Sequence, residues 1–200
     1  MPTAKLTLAE QYDSSKLILI AINTLLAIIN EPPIQTEEDV VNILEAQIAE
    51  SLIIQTTKEV LADGWDVNTD NDYTFPIDQE GYISIPYNVL DLSSSDGDLI
   101  MRDWRLYSKK NQSAIFEESQ KLNILWSMEF NSLTHPMRNY ITLLAALKFQ
   151  ATQVMDTNLY SYSKADAEKA YISARRSEGR TGSYNILSSG KHGMKYNARP

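Results

Sequence analysis

Two hundred residues, 43 % of them hydrophobic, supply enough apolar surface for one domain, or one domain carrying a smaller insertion, to fold without a staple. The chain has no cysteine and only two histidines, His135 and His192, which excludes disulfides, thiolate nucleophiles and Cys-built zinc sites and leaves little for imidazole acid–base or metal chemistry. The net charge of -8 divides unevenly, with 18 acids against 3 bases in residues 1–100 (-15) and 8 acids against 15 bases in residues 101–200 (+7), a polarity that suits head-to-tail association of like subunits or docking on an acidic partner.

The segment Met1 to Asp13 lacks the basic start, apolar run and small-residue cleavage site of a secretory signal, so export by that route is not expected. Leu17 to Ile29 is the strongest apolar run, yet it is interrupted by Asn23 and Thr24 and is too short to span a bilayer. Its Leu17, Ile18, Ala21, Ile22, Leu25, Ile28 and Ile29 follow helical spacing after Ser14 and Ser15, and Pro32-Pro33 forbid continuation. A buried first helix is predicted. Thr36 ahead of Glu37, Glu38 and Asp39 has the form of a helix cap with acids in the first turn. The predicted second helix runs on to Gly64, with Val40, Ile43, Leu44, Ile48, Leu52, Val60 and Leu61 as its apolar face.

After Trp65 the pattern changes to short segments punctuated by Asp, Asn, Gly, Pro and Tyr. Tyr82 to Pro86, Leu99 to Met101, Arg105 to Tyr107, Ser113 to Phe116 and Leu122 to Met128 are candidate strands, and in the last of these Leu122, Ile124, Trp126 and Met128 share a face. Residues 66–133 therefore read as a small antiparallel β insertion. Pro136 suits the first turn of a third helix, in which Tyr140, Leu144, Leu147 and Ala151 repeat on one side as far as Met155. A fourth helix is predicted from Ser163, with Asp166 and Glu168 early, Arg175 and Arg176 late, and a stripe of Ala167, Ala170, Tyr171 and Ala174 suited to close packing. From Thr181 to Pro200, Gly, Ser, Asn and Lys dominate and a flexible tail is predicted. The expected class is α+β: a helical bundle from 1–65 and 134–180, interrupted by the β insertion and followed by the tail 181–200.

Catalytic machinery is not evident. The chain has no GxSxG elbow, no phosphate-binding GxxxxGK[ST] loop, no HExxH and no GxGxxG. The acids Glu37, Glu38 and Asp39 stand where a helix dipole favours them, which accounts for them without paired-carboxylate chemistry. The run Asp66, Asn68, Asp70, Asn71, Asp72 lacks the glycine and terminal glutamate of an EF-hand loop and reads as a solvated turn. His135 lies before Pro136, as a capping or turn residue would. Trp65 and Trp126 are expected in the core. Basic residues near Tyr171, Tyr184 and Tyr196 suit phosphate contacts, but the overall acidity argues against a dedicated DNA binder.

The order of several segments carries a resemblance. AINTLLAIINEPPI (Ala21 to Ile34) precedes a long helix ending in GWDVN (Gly64 to Asn68), and IPYNVLDL (Ile85 to Leu92) follows. RLYSKKNQSAIF (Arg105 to Phe116), HPMRNYITLLAALKFQ (His135 to Gln150) and YNIL (Tyr184 to Leu187) complete the series. Over residues 16–188 this chain resembles the tail tubular protein A family of podoviruses, the short-tailed bacteriophages. It departs from the family at Asn30, where glycine is usual; asparagine tolerates the left-handed backbone that such a helix stop needs. Ser188 to Pro200 has no counterpart in the family pattern.

The resemblance implies a non-enzymatic structural virion protein, an adaptor forming a twelve-subunit ring between the portal and the tail nozzle formed by tubular protein B. It also implies tail fibres attached near that junction, a DNA passage without sequence-specific binding, and assembly in the host cytoplasm. Neither cofactor nor metal nor membrane anchor is expected. From the charge polarity, Arg175, Arg176, Arg180, Tyr184, Lys191, Lys195 and Arg199 are the expected portal or intersubunit interface, and acids of the N-terminal half are expected partly to line the channel so that DNA slides without sticking. The competing class is a tail-associated peptidoglycan hydrolase using two carboxylates, which requires both to converge in one cleft.

Overall fold

The first helix, α1, spans Leu17–Ile28 and buries Leu19, Ala21, Ile22, Leu25 and Leu26. The structure is a computed structural model that describes residues 16–153 and 157–181, with side chains described for 16–151 and 164–180. Ser14 and Ser15 therefore lie outside the described residues, and the residue before α1 is Lys16, which makes no side-chain cap. Asn30 adopts a left-handed φ of 59°, the stop that its side chain makes tolerable. The chain then doubles back through Pro32-Pro33 because Asn23 grips it: its Nδ2 donates to the Ile34 carbonyl (2.9 Å) and its Oδ1 accepts from the Ile34 amide (2.8 Å).

The predicted second helix is two helices. α2 is Glu37–Asn42 and α3 is Leu44–Ala62, separated by Ile43 in an extended conformation (φ -118°, ψ 115°). Thr36 caps α2 as expected, its hydroxyl accepting from the Asp39 amide while Asp39 Oδ2 accepts from the Thr36 amide (2.9 Å). Val40, Val41 and Ile43 are β-branched and crowd the preceding turn, which favours a break there. The break turns α3 about its axis. Ala46, Ala49, Ile53, Thr56, Thr57, Val60 and Leu61 face the core; of the predicted apolar face, Val40, Val60 and Leu61 are buried and Ile43 and Leu52 pack against the core, whereas Leu44 is 63 % exposed and Ile48 is 38 % exposed. Gly64 ends α3 with a φ of 75°, in the left-handed region that glycine adopts at no steric cost.

Trp65 is buried, and its indole Nε1 donates to the Val60 carbonyl (2.7 Å). The run from Asp66 to Asp72 is not a solvated turn. A short 3-10 turn, Asp66–Asn68, leads into β1 (Thr69–Thr74), and Asn68 is itself buried. Its Oδ1 accepts from the Trp65 amide (3.0 Å), and its Nδ2 donates to the carbonyls of Leu61 (3.0 Å) and Trp126 (2.8 Å). One carboxamide thus ties the end of α3 to both ends of the β region.

Among the described residues five strands succeed one another: β1, β2 (Val89–Ser93), β3 (Leu99–Arg102), β4 (Arg105–Ser108) and β5 (Lys121–Trp126). They form an antiparallel sheet in the order β1-β5-β2 and a separate β3–β4 hairpin. In β5, Leu122 and Ile124 are buried as their alternation predicts, while Trp126 is half-buried and Met128 lies beyond the strand. Ile83 and Ile85 also point inward, but Tyr82 to Pro86 and Ser113 to Phe116 contribute only isolated bridges. Together Phe75, Ile83, Ile85, Val89, Leu92, Leu99, Leu106, Leu122 and Ile124 make an apolar cluster of their own.

The chain returns through a 3-10 turn, Phe130–Ser132, to α4 (His135–Gln153) and α5 (Thr157–Thr181). His135 opens α4 just ahead of Pro136 and is exposed. The buried row of α4 is Met137, Ile141, Ala145 and Phe149, one residue round from the predicted Tyr140, Leu144 and Leu147, of which Tyr140 and Leu144 flank the core while Ala151 is exposed. The last helix begins at Thr157, before the expected Ser163, and buries Ala167, Ala170 and Ala174. α4 packs between α3 on one side and α5 on the other, while α1 lies against α3 and α4. This helical part has its own larger cluster, which Phe130 and Leu133 of the return segment join. The fold is α+β. Residues 182–200, including the predicted tail, lie outside the described residues.

Candidate assembly surface

Helix α5 has two working sides. Small alanines at 167, 170 and 174 let it lie close to the bundle, and from that side Tyr171 and Arg175 reach the buried Trp65. The Tyr171 ring meets Trp65 nearly edge-on (81°, centroids 6.0 Å apart), and Tyr140 of α4 completes the cluster. Burial raises the Tyr140 hydroxyl pKa, and the nearby charge of Asp63 adds to the shift.

Arg175 is committed to this cluster. Its guanidinium carbon sits 3.7 Å from the Trp65 ring centroid, its Nε donates to the Tyr171 hydroxyl (3.2 Å), and Nη1 donates to Glu178 Oε2 (3.2 Å). Partial burial works against its charge, but the bonds to Tyr171 and Glu178 outweigh that and raise its pKa further. The other oxygen of Glu178 accepts from the Asp66 amide (2.6 Å). Of the basic residues expected at an interface, Arg175 is thus an internal clamp.

Arg176 and Arg180 point the other way. They are exposed and share a shallow surface with Lys169, Ile172, Ser173 and Gly179, where Ile172 is 49 % exposed. The i, i+3, i+4 and i+7 spacing of 169, 172, 173 and 176 places them on one face of the helix. Lys169 bonds Asp166 at 3.1 Å, whereas Arg176 and Arg180 enter no ion pair among the described residues. Tyr184, Lys191, Lys195 and Arg199 lie outside those residues.

Two further exposed apolar surfaces escaped the sequence reading. The first is Val41, Leu44 and Ile48, exposed by 73 %, 63 % and 38 % in turn along α2 and α3, with Glu37 and Glu38 exposed beside them. The second is the tip of the β3–β4 hairpin. Asp103 and Trp104 both have positive φ (51° and 58°), the two-residue turn in which asparagine and glycine are usual, and Trp104 packs on Tyr87 with ring centroids 4.6 Å apart while both remain exposed. Neither surface had a usable signal, since Leu44 and Ile48 fit a core face and an exposed tryptophan looks like a buried one in sequence.

Among the described residues, two grooves hold carboxylates and neither sets a pair of them up for catalysis. A cavity of about 540 Å³ between α1, α3 and the β region is lined by Ile18, Ile54, Lys58, Asn88 and Met128, with Glu129 as its one carboxylate. A smaller cleft over Trp65 holds Asp66 and Glu178, and the Glu178 carboxylate is already engaged by Arg175 and the Asp66 amide. No group of three His, Asp or Glu side chains suited to a metal occurs among the described residues, and no described helix is long and apolar enough to cross a membrane.

Exposed apolar and charged helix faces and an exposed aromatic tip are the features of surfaces that meet other proteins. The comparison with family models makes this specific: residues 19–184 match the family described as tail tubular protein, and the chain belongs to that family of structural bacteriophage tail proteins. Its place is the tail of the virion. No curated protein was found that matches the chain.

Proposed function

We propose that this tail protein is the head-to-tail adaptor, a subunit of a twelve-membered ring between portal and tail nozzle. The ring gives DNA a passage without sequence-specific contacts and offers tail fibres a platform. Assembly takes place in the host cytoplasm before the particle is complete. The observation that carries the reading is the unlike character of surfaces on the two sides of α4: a basic face on α5, and an acidic, apolar face on α2 and α3. Subunits with dissimilar flanks associate head to tail, and such contacts generate closed rings when the rotation between neighbours closes.

The helical segments 1–65 and 134–180 serve as the wall of the ring and residues 66–133 as an inserted β domain turned toward other tail components. The two separate apolar clusters support that division, because each part has a core to hold its own shape. Arg176 and Arg180 belong to the interface with a neighbour or the portal, with Tyr184, Lys191, Lys195 and Arg199 continuing it, while Arg175 sets the orientation of the helix that presents them.

Co-expression with the portal and nozzle proteins, followed by native mass measurement and imaging of particles, tests the proposal. The expected product is a ring whose adaptor layer has twelve times the chain mass of 22.6 kDa, seated on the portal. A chain that remains monomeric in the presence of both partners, or one that is found elsewhere in intact particles, refutes it.

A further inference from the structure

The ring reading leaves open which surfaces meet. Three large aliphatic side chains around the α2–α3 junction, Val41 in α2 and Leu44 and Ile48 in α3, are more than scattered surface exposure, because each stands 38 % to 73 % in solvent, and Val41 shares a helix face with the exposed acids Glu37 and Glu38. The outer face of α5 has the matching opposite: Ile172 set among Lys169, Arg176 and Arg180. Neither Glu37 nor Glu38, nor Arg176 nor Arg180, has an ion-pair partner among the described residues. The two faces belong to helices that pack on different partners, α5 on α4, and α2 on α3, which in turn packs on α4.

We infer that the outer face of α5 in one copy seats on the α2–α3 face of the next, Ile172 entering the Val41–Leu44–Ile48 surface while Arg176 and Arg180 pair with Glu37 and Glu38. This rests on the ring reading and assigns its flanks. Pairing of either face with itself would oppose like charges at close range, whereas the cross-pairing buries aliphatic surface at the centre and places opposite charges at the rim. The contact is therefore heterologous and repeats from copy to copy. In the ordinary division of labour at such interfaces, the aliphatic centre governs lifetime and the charged rim governs encounter and register.

The absence of native cysteine makes the test direct, since every disulfide must come from introduced residues. Leu44→Cys and Ile172→Cys are each made singly and together in the full chain, co-assembled with the portal and oxidised; both positions are exposed, so folding is not at stake. The expected result is a covalent dimer from a mixture of the two single variants, no dimer from either alone, and a ladder of oligomers from the double variant. In a parallel experiment, Arg176→Glu with Arg180→Glu slows assembly about tenfold at low salt, and Glu37→Lys with Glu38→Lys in the same chain restores it. Particles with the mass of a ring but without the mixed disulfide, or single variants that dimerise with themselves, overturn the assignment and leave the ring standing. Particles that never reach ring mass even before substitution overturn both.

Discussion

Replacing Asn68 tests how the β region is anchored. The side chain is buried and makes three hydrogen bonds, to the Trp65 amide and to the carbonyls of Leu61 and Trp126. Asn68→Ala removes all three, each contributing about 1 kcal/mol net, and strands a buried amide, so the expected loss is about 3–4 kcal/mol. Against a typical domain stability of about 5–15 kcal/mol, that is a large fraction. Asn68→Asp is nearly isosteric and keeps the acceptor for the Trp65 amide, but turns its second oxygen on two carbonyls. Burial and those carbonyls favour the neutral acid, so the folded-state pKa rises above the unfolded value of about 3.9. The folded state then binds more protons, and stability falls as pH rises between those two values. Urea unfolding followed by tryptophan fluorescence and far-UV circular dichroism measures both variants. An Asn68→Ala loss below about 1 kcal/mol, or an Asp variant steadier at about pH 8 than at about pH 5, refutes the reasoning.

Lys148 donates to Glu59, and this bond, ahead of the opposing effect of burial, holds the Glu59 carboxyl below its ordinary value of 4.5. The contribution is complete above that value and disappears as pH falls through the lowered one; with both side chains one-third to one-half exposed it is at most about 1 kcal/mol. Glu59→Gln should therefore weaken the fold slightly at neutral pH and converge with the parent in acid, and paired urea curves showing a gap that widens in acid would count against the pair. At the hairpin tip, Trp104 occupies left-handed backbone, so Trp104→Gly should be more stable than Trp104→Ala by about 1 kcal/mol, the reverse of the order in a helix; thermal unfolding of the two variants decides it.

Much of the helical part could be read from sequence because its stops are chemically explicit. Asn30 and Gly64 both lie at left-handed φ, and Thr36 caps as its spacing to Asp39 predicts. The break at Ile43 was not legible, since the periodicity of Leu44, Ile48 and Leu52 fits one continuous helix and only the tertiary fit shows that the register shifts. β1 was missed for a different reason. Its sequence TDNDYT is polar and largely exposed at a sheet edge, with no inward face to produce alternation, and Asp72 at φ 56° accompanies a register irregularity between Asp70 and Tyr73. The basic character of α5 was legible but not the facing of its side chains: the sequence grouped Arg175 with Arg176 and Arg180, while the fold turns it onto Trp65. Adjacent residues on a helix point about 100° apart, and composition alone does not say which one faces the bundle.

The Glu178 carboxylate holds Arg175 of α5 with one oxygen and the backbone of Asp66, where the β region begins, with the other. Mechanically this is a stiff joint between two parts that face different company. A tug on the β region arrives at α5 without first passing through the length of the bundle, and a shift of α5 is felt at the root of the β region. Because the Arg175 guanidinium is also stacked on an indole, the joint resists shear as well as separation. In the proposed ring, load taken by one subunit would spread sideways through its flanks instead of peeling that subunit away.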